Sequence, residues 1–97
     1  MKKIYRYPLE VVDLQSIPLP KGADILRADY QEWRDEASVW AIVDPEETEV
    51  VPVKFRMAGT GHELPEDENR IYIGSFHINH LQLMFHVFFI DVPTGTF

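Results

Sequence analysis

The alternation of apolar and cationic side chains is clearest between Val51 and Met57. The apolar residues of V-P-V-K-F-R-M point one way while Lys54 and Arg56 point the other, which is the period of a half-buried β-strand. The strand then runs into Gly59–His62, a G-T-G-H turn with two permissive glycines. The segment therefore predicts a strand whose cationic face leads into a glycine-rich turn.

Similar alternating or continuous apolar runs predict about seven short strands along the whole chain. The predicted strands and extended segments are Ile4–Val12, Ser16–Gly22, Asp24–Gln31, Ala37–Asp44, Thr48–Ala58, Arg70–Ile78 and Leu81–Val92. Pro8 in the first run indicates an edge strand or a bend, and Gly74 in the sixth indicates a bulge or a close backbone approach. Glu32–Glu36 is a predicted hairpin tip, and Asn79–His80 is a candidate two-residue connection.

The predicted fold class follows from these strands and from the missing helical signals. No segment combines a helical repeat with capping residues. We therefore expect an all-β protein: a single small antiparallel β-sandwich, curled sheet or barrel with little or no helix. The domain is expected to cover residues 1–92, followed by a C-terminal tail at 93–97. The predicted core residues are Val39, Trp40, Ile42, Val51, Val53, Phe55, Ile71, Ile73, Phe85, Val87 and Phe89.

The composition is typical of a soluble, acidic, single-domain protein. The 97 residues are 45% hydrophobic, which suffices for one modest core and is too apolar for a disordered chain. The formal net charge of -7 disfavours unspecific binding to nucleic acid, whose phosphates attract clustered Lys and Arg. Such a surface is better suited to a basic partner.

The residue inventory excludes several kinds of chemistry. The chain has no cysteine, so disulfides, thiolate metal sites and cysteine nucleophiles are excluded. The first residues lack the apolar run of a signal peptide, and the longest apolar cluster, Met84–Ile90, is too short to span a bilayer. We expect a cytoplasmic protein without membrane association. Ser16 and Ser75 lack a nucleophile-elbow context, so an enzymatic function has no positive support.

The glycine-rich turn is the leading candidate binding site. Its backbone N–H groups could converge on a phosphate or carboxylate, with nearby cationic side chains supplying charge. The candidate ligand-binding residues are Lys54, Arg56, Gly59, Thr60, Gly61 and His62. The alternative is a plain turn in which the glycines adopt positive φ between two strands. No G-K-[ST] motif follows, so the turn is not a nucleotide-binding P-loop.

The histidines of the last two predicted strands form a second candidate site. If these strands pair as a hairpin, His77 and His80 lie near its turn and His86 lies farther along. Two or three imidazoles could hold a metal, although only Asp91 is placed to complete the site. The alternative, surface histidines and a hydrogen-bonded core His86, is favoured, so we expect no metal and no cofactor.

Trp33 and Arg34 form a candidate protein interface. Trp33 lies in the polar hairpin tip, where nothing local is available for its indole to pack against. An exposed Trp beside an Arg is typical of interface hot spots. The alternative is that the indole covers the core from outside, and the sequence leaves both interpretations open.

Distributed residues resemble a family of small uncharacterised bacteriophage and prophage proteins. The matching segments are Ile4–Leu9, Asp13–Gln15, Leu19–Leu26, Trp40–Asp44, Phe55–His62, Tyr72–Gly74 and His86–Phe88. The resemblance covers roughly residues 4 to 88, and it rests on similar residues distributed over this range more than on any single motif. The acidic loop Pro65–Asn69 and the segment His77–His80 depart from it.

The resemblance implies a phage protein that counters host antiviral defence by binding, in the cytoplasm of the host cell. In the favoured mode it sequesters a nucleotide-derived immune signal in a pocket at the glycine-rich turn, and a subunit boundary is one candidate place for this pocket. In a second mode it blocks a host defence protein through its acidic surface, with Trp33 as anchor. A metal-dependent phosphoester hydrolase ranks last. Several predicted edge strands suggest a homo-oligomer.

Overall fold

The computed structural model, which describes residues Met1–Asp91, is built from seven β-strands. The strands are β1 (Lys3–Leu9), β2 (Leu14–Pro20), β3 (Asp24–Gln31), β4 (Glu36–Val43), β5 (Val50–Gly59), β6 (Arg70–Ile78) and β7 (Leu83–Ile90). A short 3-10 helix, Asn79–Leu81, joins β6 to β7. The all-β prediction is confirmed. Within Met1–Asp91 no helix is long and apolar enough to cross a membrane.

The strands form two antiparallel sheets that do not close into a barrel. The three-stranded sheet has the order β1-β4-β3, and the four-stranded sheet has the order β2-β5-β7-β6. The Cα atoms extend over 40 × 34 × 15 Å, so the molecule is flat, with a thickness that suits two facing layers about 10 Å apart. Of the three predicted all-β architectures, the closed barrel is therefore wrong.

One hydrophobic core lies between the sheets, because alternate residues of both sheets meet there. In the three-stranded sheet, Val39 lies between Tyr7 and Ala28 in one row. The core cluster comprises Leu9, Leu19, Ala28, Ala37, Val39, Phe55, Met57, Ile73, Phe76, Ile78, Phe85 and Val87. Five of the predicted core residues are buried: Val39, Phe55, Ile73, Phe85 and Val87.

Of the other predicted core residues, Val53 and Phe89 pack against the core cluster, and the remaining four do not belong to it. The predicted residues that are only half-buried are Trp40, Ile42, Val51, Val53 and Phe89. Trp40 and Ile42 alternate with Val39, Ala41 and Val43, so they lie on the outer face of β4. Ile71 is wrong as a core residue, because 41% of it is exposed near the start of β6.

The ends of the strands differ from the sequence-based limits where side chains close a turn. β1 ends at Leu9 instead of Val12, because the amide of Gln15 bonds the backbone of Glu10 at 2.7 and 3.0 Å. The two-residue connection predicted at Asn79–His80 is wrong: Gln82 follows the 3-10 turn with a φ of 51°, and its N–H donates to the Ile78 carbonyl at 3.0 Å. The predicted tail at 93–97 lies outside the described residues.

Gly74 lies where the two sheets meet. The register of β6 against β7 shifts between Tyr72 and Gly74, which confirms the predicted bulge. Gly74 has a φ of +155°, and a Cβ at this position would overlap the carbonyl oxygen of Ala28 on β3. β3 and β6 are edge strands of different sheets, so their close approach joins one side of the sandwich.

We expect Gly74→Ala to lower the free energy of unfolding by about 3 kcal/mol, because the methyl group combines backbone strain with overpacking. The expected fall in Tm exceeds 10 °C, at roughly 4–8 °C per kcal/mol for a domain of this size. Thermal and urea unfolding measure both quantities.

Gly22→Ala is the matched control. Gly22 also has a positive φ, of +83°, but a Cβ there meets nothing within 4 Å. This variant should lower the free energy of unfolding by only about 1–2 kcal/mol, which is the cost of a left-handed backbone conformation for alanine. If the two variants lowered the free energy of unfolding equally, the result would contradict a close contact between β3 and β6.

Candidate functional site

The tip of the β3–β4 hairpin holds an aromatic residue in solvent. Trp33 is 74% exposed, and the guanidinium carbon of Arg34 lies 4.2 Å from the centroid of its ring. Two backbone hydrogen bonds of 3.1 Å close the turn, from Arg34 N–H to the Gln31 carbonyl and from Asp35 N–H to the Glu32 carbonyl. The exposure rules out the alternative in which the indole covers the core.

Two other turns place apolar side chains in solvent. Val11 in the β1–β2 turn is 44% exposed, and Leu81 in the β6–β7 connection is 48% exposed. Val11 and Leu81 line one surface crevice together with Asp35 of the hairpin, so the three turns converge at one end of the sandwich. The sequence does not reveal this convergence, because the three segments are far apart along the chain.

Arg56 lies on the outer face of β5 and is occupied by contacts within the protein. Its Nε lies 3.1 Å from both carboxylate oxygens of Glu68, Nη2 pairs with the same carboxylate, and Nη1 lies 3.4 Å from the Asp13 carbonyl. Arg70 adds a second ion pair to Glu68, at 3.0 Å. One carboxylate therefore joins two arginines, and the Arg56 guanidinium has few donors left for a ligand.

The pKa values of this cluster reflect the same contacts. The hydrogen bond from Arg56, helped by one from Arg70, lowers the pKa of Glu68 below its ordinary value of 4.5, against the opposing effect of burial. The hydrogen bond to Glu68 likewise raises the pKa of Arg56. Both groups are therefore held in their charged forms.

Lys54 shares the outer face of β5 with Arg56 but lies among acids. Its exposed side chain lines a surface depression together with Asp67, Glu68 and Asp91. The acidic residues outnumber the single cationic residue in the lining of this depression, which opposes the binding of an anion. The structure thus brings the two predicted cations to one face and surrounds them with negative charge.

The turn Gly59–His62 uses most of its own hydrogen-bond donors. Gly59 N–H donates to His62 Nδ1 at 3.3 Å, Thr60 N–H to the Met84 carbonyl at 3.0 Å, and His62 N–H to the Gly59 carbonyl at 3.0 Å. A Cβ on Gly59 would lie 2.8 Å from His62 Cε1, so the glycine makes room for the folded-back imidazole. This geometry favours the structural interpretation of the turn over an anion site.

His86 joins two hydroxyl groups on the outer face of the four-stranded sheet. Its Nε2 lies 2.8 Å from Thr60 Oγ1, and its Nδ1 lies 3.1 Å from the Tyr72 hydroxyl. His80 instead approaches Asp35, at 3.9 Å. In the described part of the chain no group of three or more His, Cys, Asp or Glu side chains could hold a metal ion. The Thr60–His86–Tyr72 contacts lie on an open face where water competes for each hydrogen bond.

We expect Glu68→Gln to lower the free energy of unfolding by about 1.5–3 kcal/mol at pH 7, because it removes charge-assisted hydrogen bonds to two arginines. The folded-state pKa of Glu68 is lowered, so its contribution is complete above pH 4.5 and is lost as the pH falls through the folded-state value. The difference between wild type and variant should therefore shrink in acid. Urea unfolding at pH 7 and at pH 3 tests this.

Glu46→Gln is the control for this measurement, since Glu46 is an exposed residue of the β4–β5 turn. It should change the free energy of unfolding by less than about 0.5 kcal/mol at either pH. A Glu68 effect that did not depend on pH would contradict the ion-pair explanation.

Comparison with known proteins identifies the family of the chain. No curated protein and no solved structure matches the chain. A family model described as a domain of unknown function, DUF7352, matches residues 1–94. Because this match spans nearly the whole sequence, the chain belongs to the DUF7352 family.

Proposed function

We propose that the protein is a non-enzymatic binding protein that contacts another protein through the tip of its β3–β4 hairpin. The observation that carries the proposal is the 74% exposure of Trp33 at the tip of a closed turn. A Trp gains more from burial than most side chains, and Trp and Arg are the residues most enriched in interface hot spots.

The tip is suited to binding because contacts within the hairpin hold its conformation. Arg34 lies over the indole, and such cation–π contacts stabilise an exposed pair by about 0.5–1 kcal/mol. The backbone bonds of Arg34 and Asp35 hold the turn. An anchor held in place before contact loses less conformational entropy on binding than a mobile one.

The resemblance to bacteriophage and prophage proteins suggests the biological setting of this proposal. The partner would be a component of host antiviral defence, met in the cytoplasm of the host cell. The net charge of -7 would speed the encounter with a basic protein. In this setting the protein acts as a stoichiometric inhibitor.

Sequestration of a nucleotide-derived signal has less support from the contacts. It requires donors at Arg56 and at the turn Gly59–His62, where Glu68 and internal backbone bonds occupy most of them.

The expected homo-oligomer stays a prediction. β1 is an edge strand with an exposed Ile4, which is compatible with self-association.

Trp33→Ala should weaken capture of the partner at least tenfold, because truncation of a central aromatic anchor costs about 2 kcal/mol or more. The tagged protein and its variant are used to capture partners from host cells, and the amounts are compared by quantitative mass spectrometry. Tyr5→Ala is the matched control, since Tyr5 is an exposed aromatic residue of β1. Equal capture by Trp33→Ala and wild type would refute the hairpin-tip interface.

Nucleotides should leave the Tm unchanged if the function is protein binding. A ligand at 100 times its Kd stabilises the folded state by about 2.7 kcal/mol, which thermal unfolding detects easily. A panel of mono-, di- and cyclic nucleotides at millimolar concentration is the probe. A rise in Tm that Arg56→Ala abolishes would favour sequestration and count against the present proposal.

A further inference from the structure

A crevice lies beside the hairpin tip, at the end of the sandwich where three turns converge. Its volume is about 330 Å³. Its apolar wall is formed by buried core residues at the ends of their strands, Leu9, Ala37 and Ile78, together with the ring of Tyr30. Val11 and Leu81 form an exposed apolar rim. The hairpin that carries Trp33 also carries Asp35, which lines the same crevice.

The polar lining of the crevice is acidic. Glu10, Asp35 and Glu36 contribute three carboxylates, and neither Lys nor Arg is among the described residues that line it. Arg6 of β1 forms an ion pair with Glu36 and neutralises its charge. His80 lies 3.9 Å from Asp35, a long contact between exposed side chains. Glu10 and Asp35 therefore set the charge of the opening.

An apolar wall beneath carboxylates selects a particular side chain. Lys and Arg carry an aliphatic stem, which packs on apolar surface, and a cationic head, which remains with acids or water. An anion would be repelled by Glu10 and Asp35, and a fully apolar group would bury these carboxylates without a partner, at considerable cost. The crevice volume of about 330 Å³ is many times the ~10–15 Å³ that one water needs on the same measure, so one long side chain fits.

We propose that this crevice receives an arginine or lysine side chain of the partner protein while Trp33 anchors the neighbouring surface. The inference rests on the proposed protein-binding function and adds the chemistry of the partner. The stem lies against the exposed side chains of Val11 and Leu81 above the buried floor of the crevice, and the cationic head meets Glu10 and Asp35. The partner therefore presents a basic residue flanked by apolar ones, which suits the net charge of -7.

The test uses the full chain and a defined probe. The tripeptide Ac-Leu-Arg-Leu-NH2 is titrated into 15N-labelled protein and followed by NMR. The same tripeptide with citrulline in place of arginine is the matched probe, since citrulline keeps the shape and loses the charge. We expect the arginine peptide to shift the amide signals of Leu9, Ala37, Ile78 and Leu81 saturably. The citrulline peptide should bind at least tenfold more weakly.

Two substitutions locate the charge recognition. The double variant Glu10→Gln and Asp35→Asn should weaken binding of the arginine peptide at least tenfold. Asn is chosen because Asp35 has a φ of 52°, a conformation that Asn tolerates. Asp67→Asn, an acid lining a different depression, should leave the affinity unchanged. Added salt should weaken binding to the wild type.

Each outcome decides for or against the crevice. Equal shifts by the two peptides, shifts confined to other parts of the molecule, or no shifts at all would overturn the inference. Trp33→Ala should retain the arginine-peptide shifts, because the peptide needs the crevice and not the indole. Loss of partner capture on Trp33→Ala without peptide binding at the crevice would therefore support the proposed function and refute only the arginine or lysine site.

Discussion

The close approach of β6 to β3 at Gly74 constrains how the two sheets of this protein meet. A side chain at position 74 would overlap the Ala28 carbonyl, so only glycine lets the edges of the two sheets come together. The contact covers one edge of each sheet and leaves β1 and β2 as the other edges. β2 carries Pro18 and Pro20 and β1 carries Pro8, and prolines on edge strands limit further strand pairing.

The contact between the two sheets also brings three turns to the same end of the sandwich. The β1–β2 turn, the β3–β4 hairpin and the β6–β7 connection gather at one end, where Val11, Trp33 and Leu81 are exposed. An apolar end surface with acidic side chains around it is chemically different from the outer sheet faces, which carry the ion pairs. The proposed interface and the proposed crevice both follow from this arrangement of turns.

Intramolecular ion pairs occupy several of the cationic side chains of this acidic protein. Arg56 and Arg70 share Glu68, Arg6 pairs with Glu36, and Arg27 pairs with Asp29. These pairs hold cationic side chains on the sheet faces. The excess of carboxylates therefore makes the electrostatic potential of the remaining surface negative. Arg34 instead lies over the Trp33 ring, where its charge rests on an aromatic face at the tip of the hairpin.

Local patterns in the sequence determined the strands and the bulge. The predicted limits of Asp24–Gln31 and Arg70–Ile78 coincide with β3 and β6, since alternation and glycine placement act within a few residues of the chain. The exposure of Trp33 was predicted in part, because a polar hairpin tip offers an indole no local contact. These features depend on neighbours in sequence, and such neighbours are visible without a structure.

Only the tertiary structure decided which charges are satisfied and which turns meet. Arg56 contacts Glu68, twelve residues away, and Thr60 contacts His86 beside the paired strands β5 and β7. No local pattern in the sequence marks either pair. The half-burial of Trp40 depended on which face of β4 looks inward. The strand order of each sheet brings distant side chains together, so the neutralised cations and the acidic crevice follow from the packing of the two sheets.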